Sequence, residues 1–278
     1  PNAKVLISDP SWENHQALFT NAGFKVETYR YYDAATRGLN VDGMLADLKA
    51  APAGTIALLH ACCHNPTGYD ITAAQWDQVV AICKNNDLVP FLDMAYQGFG
   101  YGLKEDGAVI QKFVDAGLTF FVSTSFSKSF SLYGERVGAL SVLCTDKAEA
   151  DRVLSQLKIA IRTNYSNPPT HGGSVVAAVL GNPELRKQWE DELAEMRVRI
   201  KAMRQKLVDG LKAAGVKQDM SFITTQIGMF SYSGLTKDQM VRLRSEFGVY
   251  GTDTGRMCVA ALNSKNIDYV CQAIAKVV

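Results

Sequence analysis

A chain of 278 residues that is 47% hydrophobic can bury a substantial core, as one large domain or two unequal ones. Its 29 basic and 28 acidic residues nearly cancel, to a formal charge of +1, and no basic block stands out, which argues against nucleic acid or an anionic membrane as a partner. Six cysteines make no disulfide framework at this length, no apolar stretch approaches a membrane span, and Pro1–Asp9 lacks a signal-peptide pattern, so a cytoplasmic protein is expected.

Short β-rich runs alternate with helical stretches over the first two-thirds of the chain. Val5–Ser8 and Thr55–Leu59 read as strands, the second running into His60-Ala61-Cys62-Cys63. Thr72–Asn86 has helical spacing of Trp76, Val79, Val80 and Cys83, and Leu88–Leu92 is a buried strand interrupted by Pro90. A helix around Ala108–Ala116, strands at Thr119–Ser123 and Val137–Leu143, and helices over Asp146–Arg162 and Gly172–Leu180 follow. This order predicts an α/β domain whose mostly parallel sheet is covered on both faces. Glu184–Ala214 reads as one long charged helix joining two domains, placed at 1–194 and 195–278. The second is a small α+β unit with a strand at Met229–Ser231, a helix opening at Thr236, a β-like run at Met257–Ala260 and a helix from Asn266.

Open α/β sheets bind ligands beyond the carboxyl ends of their strands. Three polar clusters fall there: His64-Asn65-Pro66-Thr67-Gly68, Asp93-Met94-Ala95-Tyr96 and Ser125-Phe126-Ser127-Lys128. Parallel strands end side by side, so Asn65, Asp93, Tyr96 and Lys128 should converge on one crevice. A lysine amine among polar groups can form a Schiff base with an aldehyde cofactor. A carboxylate facing a pyridine nitrogen keeps it protonated, so that the ring can accept electrons from a carbanion. A phenol and an amide, Tyr96 and Asn65, can hydrogen-bond a phenolic oxygen. Ser125, Ser127 and Arg136 supply the hydroxyls and the forked cation that a phosphate needs.

The run Ser125-Phe126-Ser127-Lys128-Ser129-Phe130-Ser131-Leu132-Tyr133-Gly134-Glu135-Arg136, together with His64-Asn65-Pro66-Thr67-Gly68 and Asp93-Met94-Ala95-Tyr96-Gln97-Gly98-Phe99, closely resembles the aspartate/aromatic subgroup of fold-type I pyridoxal-phosphate aminotransferases. The resemblance extends from Pro10-Ser11-Trp12 to Arg256-Met257-Cys258-Val259. It implies pyridoxal 5′-phosphate as cofactor and ping-pong amino transfer between an amino acid and 2-oxoglutarate. Lys128 resembles the lysine that carries the cofactor and moves the substrate α-proton, and Asp93 the pyridinium partner, with His15 and His60 behind it. Trp12 resembles the indole that stacks on the ring, Tyr96 and Asn65 the groups on its phenolic oxygen, and Ser125, Ser127 and Arg136 the phosphate side. Arg256 resembles the arginine that clamps the substrate α-carboxylate. Arg162 resembles the arginine that enters the neighbouring subunit's site of a homodimer to bind a side-chain carboxylate, and the resemblance implies that Phe230 lines the substrate entrance. The family also carries an N-terminal arm, a phosphate-binding Ser-Gly-Thr turn and a tyrosine lent by the partner, none of which precedes Pro1. On that comparison the chain opens inside the large domain and lacks roughly the first third.

Other readings stand beside these. His15 and His60 also suit satisfied core histidines, Arg256 a structural ion pair, Arg162 a helix-end arginine and Trp12 plain core. No metal is expected, since the His60–His64 run has no second ligand pair at zinc spacing. The lysine segment and Arg256-Met257-Cys258-Val259 lean towards aromatic donors, with dicarboxylates also accepted. An aspartate aminotransferase and an inactive fragment are the alternatives. A dinucleotide-binding dehydrogenase is disfavoured because no Gly-x-Gly-x-x-Gly follows a strand.

Overall fold

The computed structural model describes residues 2–278. The chain runs β1 (Lys4–Asp9), α1 (Glu13–Asn21), β2 (Lys25–Arg30), β3 (Tyr32–Asp33), β4 (Gly38–Leu39), α2 (Val41–Ala50), β5 (Ile56–His60), α3 (Ala73–Asn85), β6 (Val89–Met94) and α4 (Leu103–Asp115). Then come β7 (Phe120–Ser125), β8 (Gly138–Leu143), α5 (Lys147–Tyr165), α6 (His171–Gly181), α7 (Pro183–Ala213), β9 (Phe230–Tyr232), α8 (Lys237–Phe247), β10 (Arg256–Cys258) and α9 (Ile267–Val277).

Six strands form one sheet in the order β2-β1-β5-β6-β7-β8, parallel throughout except for β8, which runs antiparallel on β7. The central strands read as continuous apolar runs because helices cover both faces. Leu58, Leu59, Leu92 and Val122 are all buried. Register decides where the chemistry goes: His60 pairs with Asp93, and Asp93 with Ser123, so three polar side chains line up across the carboxyl end of the sheet.

Side-chain caps start several helices, among them Asn40 on α2 and Asp146 on α5. Thr72 and Gln75 form a reciprocal capping box on α3, Thr236 and Gln239 another on α8, and the Asn182 side chain accepts from Glu184 and Leu185 at the start of α7. Pro183 follows at the first helical position, where its missing N–H costs nothing. The 31-residue α7 buries Leu193, Ile200, Met203, Arg204, Leu207 and Leu211 and packs on α9. One hydrophobic cluster runs from Leu6 of the sheet to Val277 of α9 and so joins the two parts of the chain.

The expected elements are present with ends shifted by a few residues; α4 begins earlier, at Leu103. Residues 10–54, whose sequence shows no clear periodicity, form α1, edge strand β2, the β3–β4 pair and α2.

Candidate active site

The cluster beyond the strand ends forms because each element ends at the same level. Asp93 lies near the end of β6, and its Oδ2 accepts from His15 Nε2 at 2.8 Å. His15 comes from α1, and Ser11 Oγ holds its other nitrogen, Nδ1, at 2.9 Å. Burial pushes the Asp93 carboxyl up, but the His15 hydrogen bond and the nearby Lys128 charge outweigh it and hold Asp93 below the usual carboxylate range. Among the described residues, Asp93 Oδ1 has only a long contact from Ser123 Oγ, at 3.5 Å. That leaves an ionised oxygen able to accept one strong hydrogen bond.

Lys128 follows β7, between Ser127 and Ser129, both of which are buried. Its Nζ stands over the Tyr96 ring, 4.9 Å from the centroid. Burial lowers the Lys128 pKa; Asp93 partly offsets this and the Arg136 cation adds to it. The net effect is an amine that deprotonates more readily than an ordinary lysine.

Two further residues of the small C-terminal part complete the group. Arg256, on β10, donates from Nη1 to Asn65 Oδ1 at 2.8 Å and lays its guanidinium over the Phe230 ring, 4.6 Å from the centroid. Phe230 meets the Tyr96 ring edge-on at 5.8 Å. Burial, and then the Asp93 charge, push the Tyr96 hydroxyl well above its ordinary range, so it stays protonated and can donate. The Asn65 loop reaches β9 because Gly68, at φ +71°, carries no side chain: a Cβ there would lie 2.9 Å from Gln226 Cβ and 3.0 Å from the Phe230 carbonyl. Ile227 N–H then donates to Gly68 O at 2.7 Å.

Trp12 is 39% exposed at the edge of this group, its ring edge-on to His15 at 5.2 Å. The structure therefore links Trp12, His15 and Asp93 in one set of contacts and Lys128, Tyr96, Phe230, Arg256 and Asn65 in another, with the Asp93 charge acting on both Lys128 and Tyr96. His60 lies 5.1 Å from the His15 ring, and neither of its nitrogens has a hydrogen-bond partner among the described residues. Burial, then His64, holds it well below the ordinary histidine range, which leaves it a neutral imidazole. Ligand atoms of His15, His60 and Asp93 lie within 4.8 Å of one another, but His15 and Asp93 already spend theirs on each other.

On the phosphate side, Ser125 Oγ accepts from the Ser127 N–H at 3.2 Å. Arg136, at φ 54°, donates Nη1 to the Tyr133 carbonyl at 2.8 Å. Arg162 stands apart from the rest: it is exposed near the end of α5 and bonds to Ser166 Oγ at 2.5 Å. Ser123, Trp189 and Arg204 support this group without having been legible in the sequence. Arg204 is buried in α7 with no carboxylate partner among the described residues, donates to the carbonyls of Ile223, Gly228 and Phe230, and has its pKa lowered to about 10 by burial. No local motif marks either Trp189 or Arg204, because each acts on main chain distant in sequence.

The family model for aminotransferase class I and II matches residues 1–274. The chain belongs to that family. It is 61% identical to an aspartate aminotransferase of Pseudomonas aeruginosa and 54% identical to an aromatic-amino-acid aminotransferase of Escherichia coli, in each case over 100% of this chain and 70% of the relative. Among solved structures it is similar to an aromatic-amino-acid aminotransferase from Burkholderia pseudomallei covalently bound to pyridoxal phosphate, with a TM-score of 0.98 and 65% identity over 100% of this chain and 69% of that one. Fold and chemistry are thus those of a fold-type I, pyridoxal-phosphate-dependent aminotransferase. The donor set fits that cofactor: an amine of depressed basicity, an ionised carboxylate with an oxygen to spare, and a protonated phenol, with the Asn65 amide held by Arg256. Among the described residues no helix is long and apolar enough to cross a membrane.

Proposed function

We propose that this aminotransferase transfers the amino group of aromatic and dicarboxylic L-amino acids to 2-oxoglutarate, with Lys128 as the residue that carries pyridoxal phosphate. The observation that carries the reading is the junction of Lys128 over Tyr96, Tyr96 against Phe230, and Phe230 beneath Arg256, which links the amine directly to a carboxylate-binding cation. Asp93 would hold the cofactor's ring nitrogen, Tyr96 and Asn65 its phenolic oxygen, Trp12 its face, and Ser125, Ser127 and Arg136 its phosphate. When bound, the cofactor supplies an aldehyde for the amine and a ring that stores an electron pair. Lys128 in its neutral form first acts as nucleophile and afterwards takes the substrate α-proton. Arg256 binds the substrate α-carboxylate, its guanidinium plane fixed by Phe230 and Asn65. His15 orients Asp93, and neutral His60 adds no competing charge behind the pair.

The aromatic side of the preference is supported by the apolar faces of Trp12 and Phe230 and by the Burkholderia pseudomallei structure. The dicarboxylate side rests on Arg162 and on the Pseudomonas aeruginosa relative. We place the boundary between a large cofactor-binding domain and a small C-terminal domain inside α7, near 194. A homodimer with shared sites is supported by α5, a 19-residue helix in which no residue is buried and which exposes Leu154, Ile159 and Tyr165. A cytoplasmic setting is supported by six free cysteines, four of them buried.

The test is to add pyridoxal phosphate, reduce with borohydride and locate the added mass by peptide mapping. It should lie on Lys128. Lys128→Ala should lose it and lower transamination by several orders of magnitude, while the unchanged chain turns over both phenylalanine and aspartate. An adduct on another lysine refutes the assignment, and turnover of aspartate alone refutes the substrate range.

A further inference from the structure

Four side chains of α7 each grip a main-chain carbonyl beside a functional segment. Arg197 donates to Gly98 O at 2.8 Å, two residues past Tyr96 and one past Gln97. Arg199 donates to Ala260 O and Leu262 O, each at 2.8 Å, just beyond the Arg256 strand. Arg204 holds Gly228 and Phe230. The fourth is Trp189, and its target is the lysine loop itself.

Trp189 Nε1 donates to Ser129 O at 2.7 Å, the carbonyl immediately after Lys128. Its indole also stacks on Phe130, with centroids 4.5 Å apart and planes 23° apart. Phe126 also meets Phe130 edge-on, at 5.5 Å and 82°. Within the loop, Phe130 N–H donates to Phe126 O and Ser131 N–H to Lys128 O, each at 3.2 Å. Ser131 adopts a left-handed φ of 54°, a strained conformation that persists only where the surroundings enforce it. Lysine has a flexible four-carbon stem, so its amine can be placed only by fixing its main chain and packing its stem. A misplacement of about 1 Å at a reacting group costs on the order of a hundredfold in rate.

We propose that Trp189 is a positioning residue for Lys128: its N–H and its ring together fix the loop that aims the amine, and they make α7 the rod to which the lysine loop and the carboxylate-binding strand are both referred. This rests on the assignment of Lys128 as the reactive lysine. The partial burial that depresses Lys128 basicity depends on the loop keeping this course.

Two variants separate the contributions. Trp189→Phe keeps a ring on Phe130 and removes the N–H, whereas Trp189→Leu removes both. In cofactor-free protein, reductive methylation with formaldehyde and cyanoborohydride across a pH series, followed by peptide mass analysis, gives the midpoint at which Lys128 becomes reactive. In Trp189→Phe that midpoint should rise towards the ordinary lysine range while other lysines stay unchanged. In the loaded enzyme kcat should fall roughly five- to tenfold with KM within about twofold, the loss expected for one partly buried hydrogen bond that positions a reacting group. Trp189→Leu should move both further, and where it fails to fold the phenylalanine variant decides. An unmoved Lys128 midpoint with unchanged kcat in Trp189→Phe overturns the proposal. A borohydride adduct on a different lysine overturns the Lys128 assignment instead, so the two failures are distinguishable.

Discussion

Asp93 and Lys128 shape each other's protonation across the carboxyl end of the sheet. The lysine charge helps hold Asp93 ionised, and the carboxylate partly restores the lysine basicity that burial removes. Replacing Asp93 by asparagine therefore has a definite sign. Lys128 loses the influence that raised its pKa, so its methylation midpoint should drop further, opposite to the shift expected from Trp189→Phe. Turnover should fall at the same time, because an amide cannot hold a proton on a pyridine nitrogen as a carboxylate does. Asp93→Glu retains the charge and should keep more activity than Asp93→Ala. Equal kcat in the glutamate and alanine variants would show that Asp93 serves the fold alone. His15 was legible beside Asp93 through the Pro10-Ser11-Trp12 run, whereas Ser123 was not, because only strand register places it opposite Asp93.

At the level of elements, the central strands could be read because two-faced burial writes them as apolar runs. The stretch 10–54 could not, and its composition explains why. Edge strand β2 (Lys25–Arg30) buries only Tyr29, so no alternation survives. Helix α2 has Gly43 in its first turn, which reads as a break, yet a Cβ there would stand 2.5 Å from Asn40 Oδ1, the atom that caps the helix. The loop between β5 and α3 hides a further dependence. Asp70 accepts from the N–H groups of Cys63 and His64, at 2.6 and 2.8 Å, and so shapes the approach to Asn65. Burial pushes the Asp70 carboxyl up to about 6 from 3.8. A carboxyl with a raised folded-state pKa contributes stability that is complete below the unfolded value and is lost as pH rises through about 6. With its partial exposure allowed for, that loss is on the order of 1–2 kcal/mol. Asp70→Asn should lower absolute stability, since an amide accepts from one N–H and crowds the other, and it should flatten the decline between about pH 4 and pH 7. Denaturant midpoints at the two pH values check this; an undiminished difference in Asp70→Asn would assign the pH dependence to another group.

On the scale of the whole molecule, α7 and the shared hydrophobic cluster bring the two parts of one chain to a common site, but they leave Arg162 outside it. Its guanidinium is exposed at the end of a helix that buries nothing, bonded to Ser166 four residues on. In the proposed homodimer with shared sites, each Arg162 would serve the site built on the partner's Lys128. Arg162→Leu alone should then lose most activity on aspartate and little on phenylalanine, since only the first substrate needs a paired side-chain carboxylate. A mixture sharpens the test. Lys128→Ala is inactive everywhere, and Arg162→Leu is impaired on aspartate in both of its sites. If the two variants are denatured together and refolded, each mixed dimer combines an intact Lys128 from one chain with an intact Arg162 from the other. Random pairing makes half of the dimers mixed, each with one restored site, so about a quarter of wild-type aspartate turnover should return. Recovery no greater than the sum of the separate variants would place Arg162 in the service of its own chain and remove the reason for a shared site.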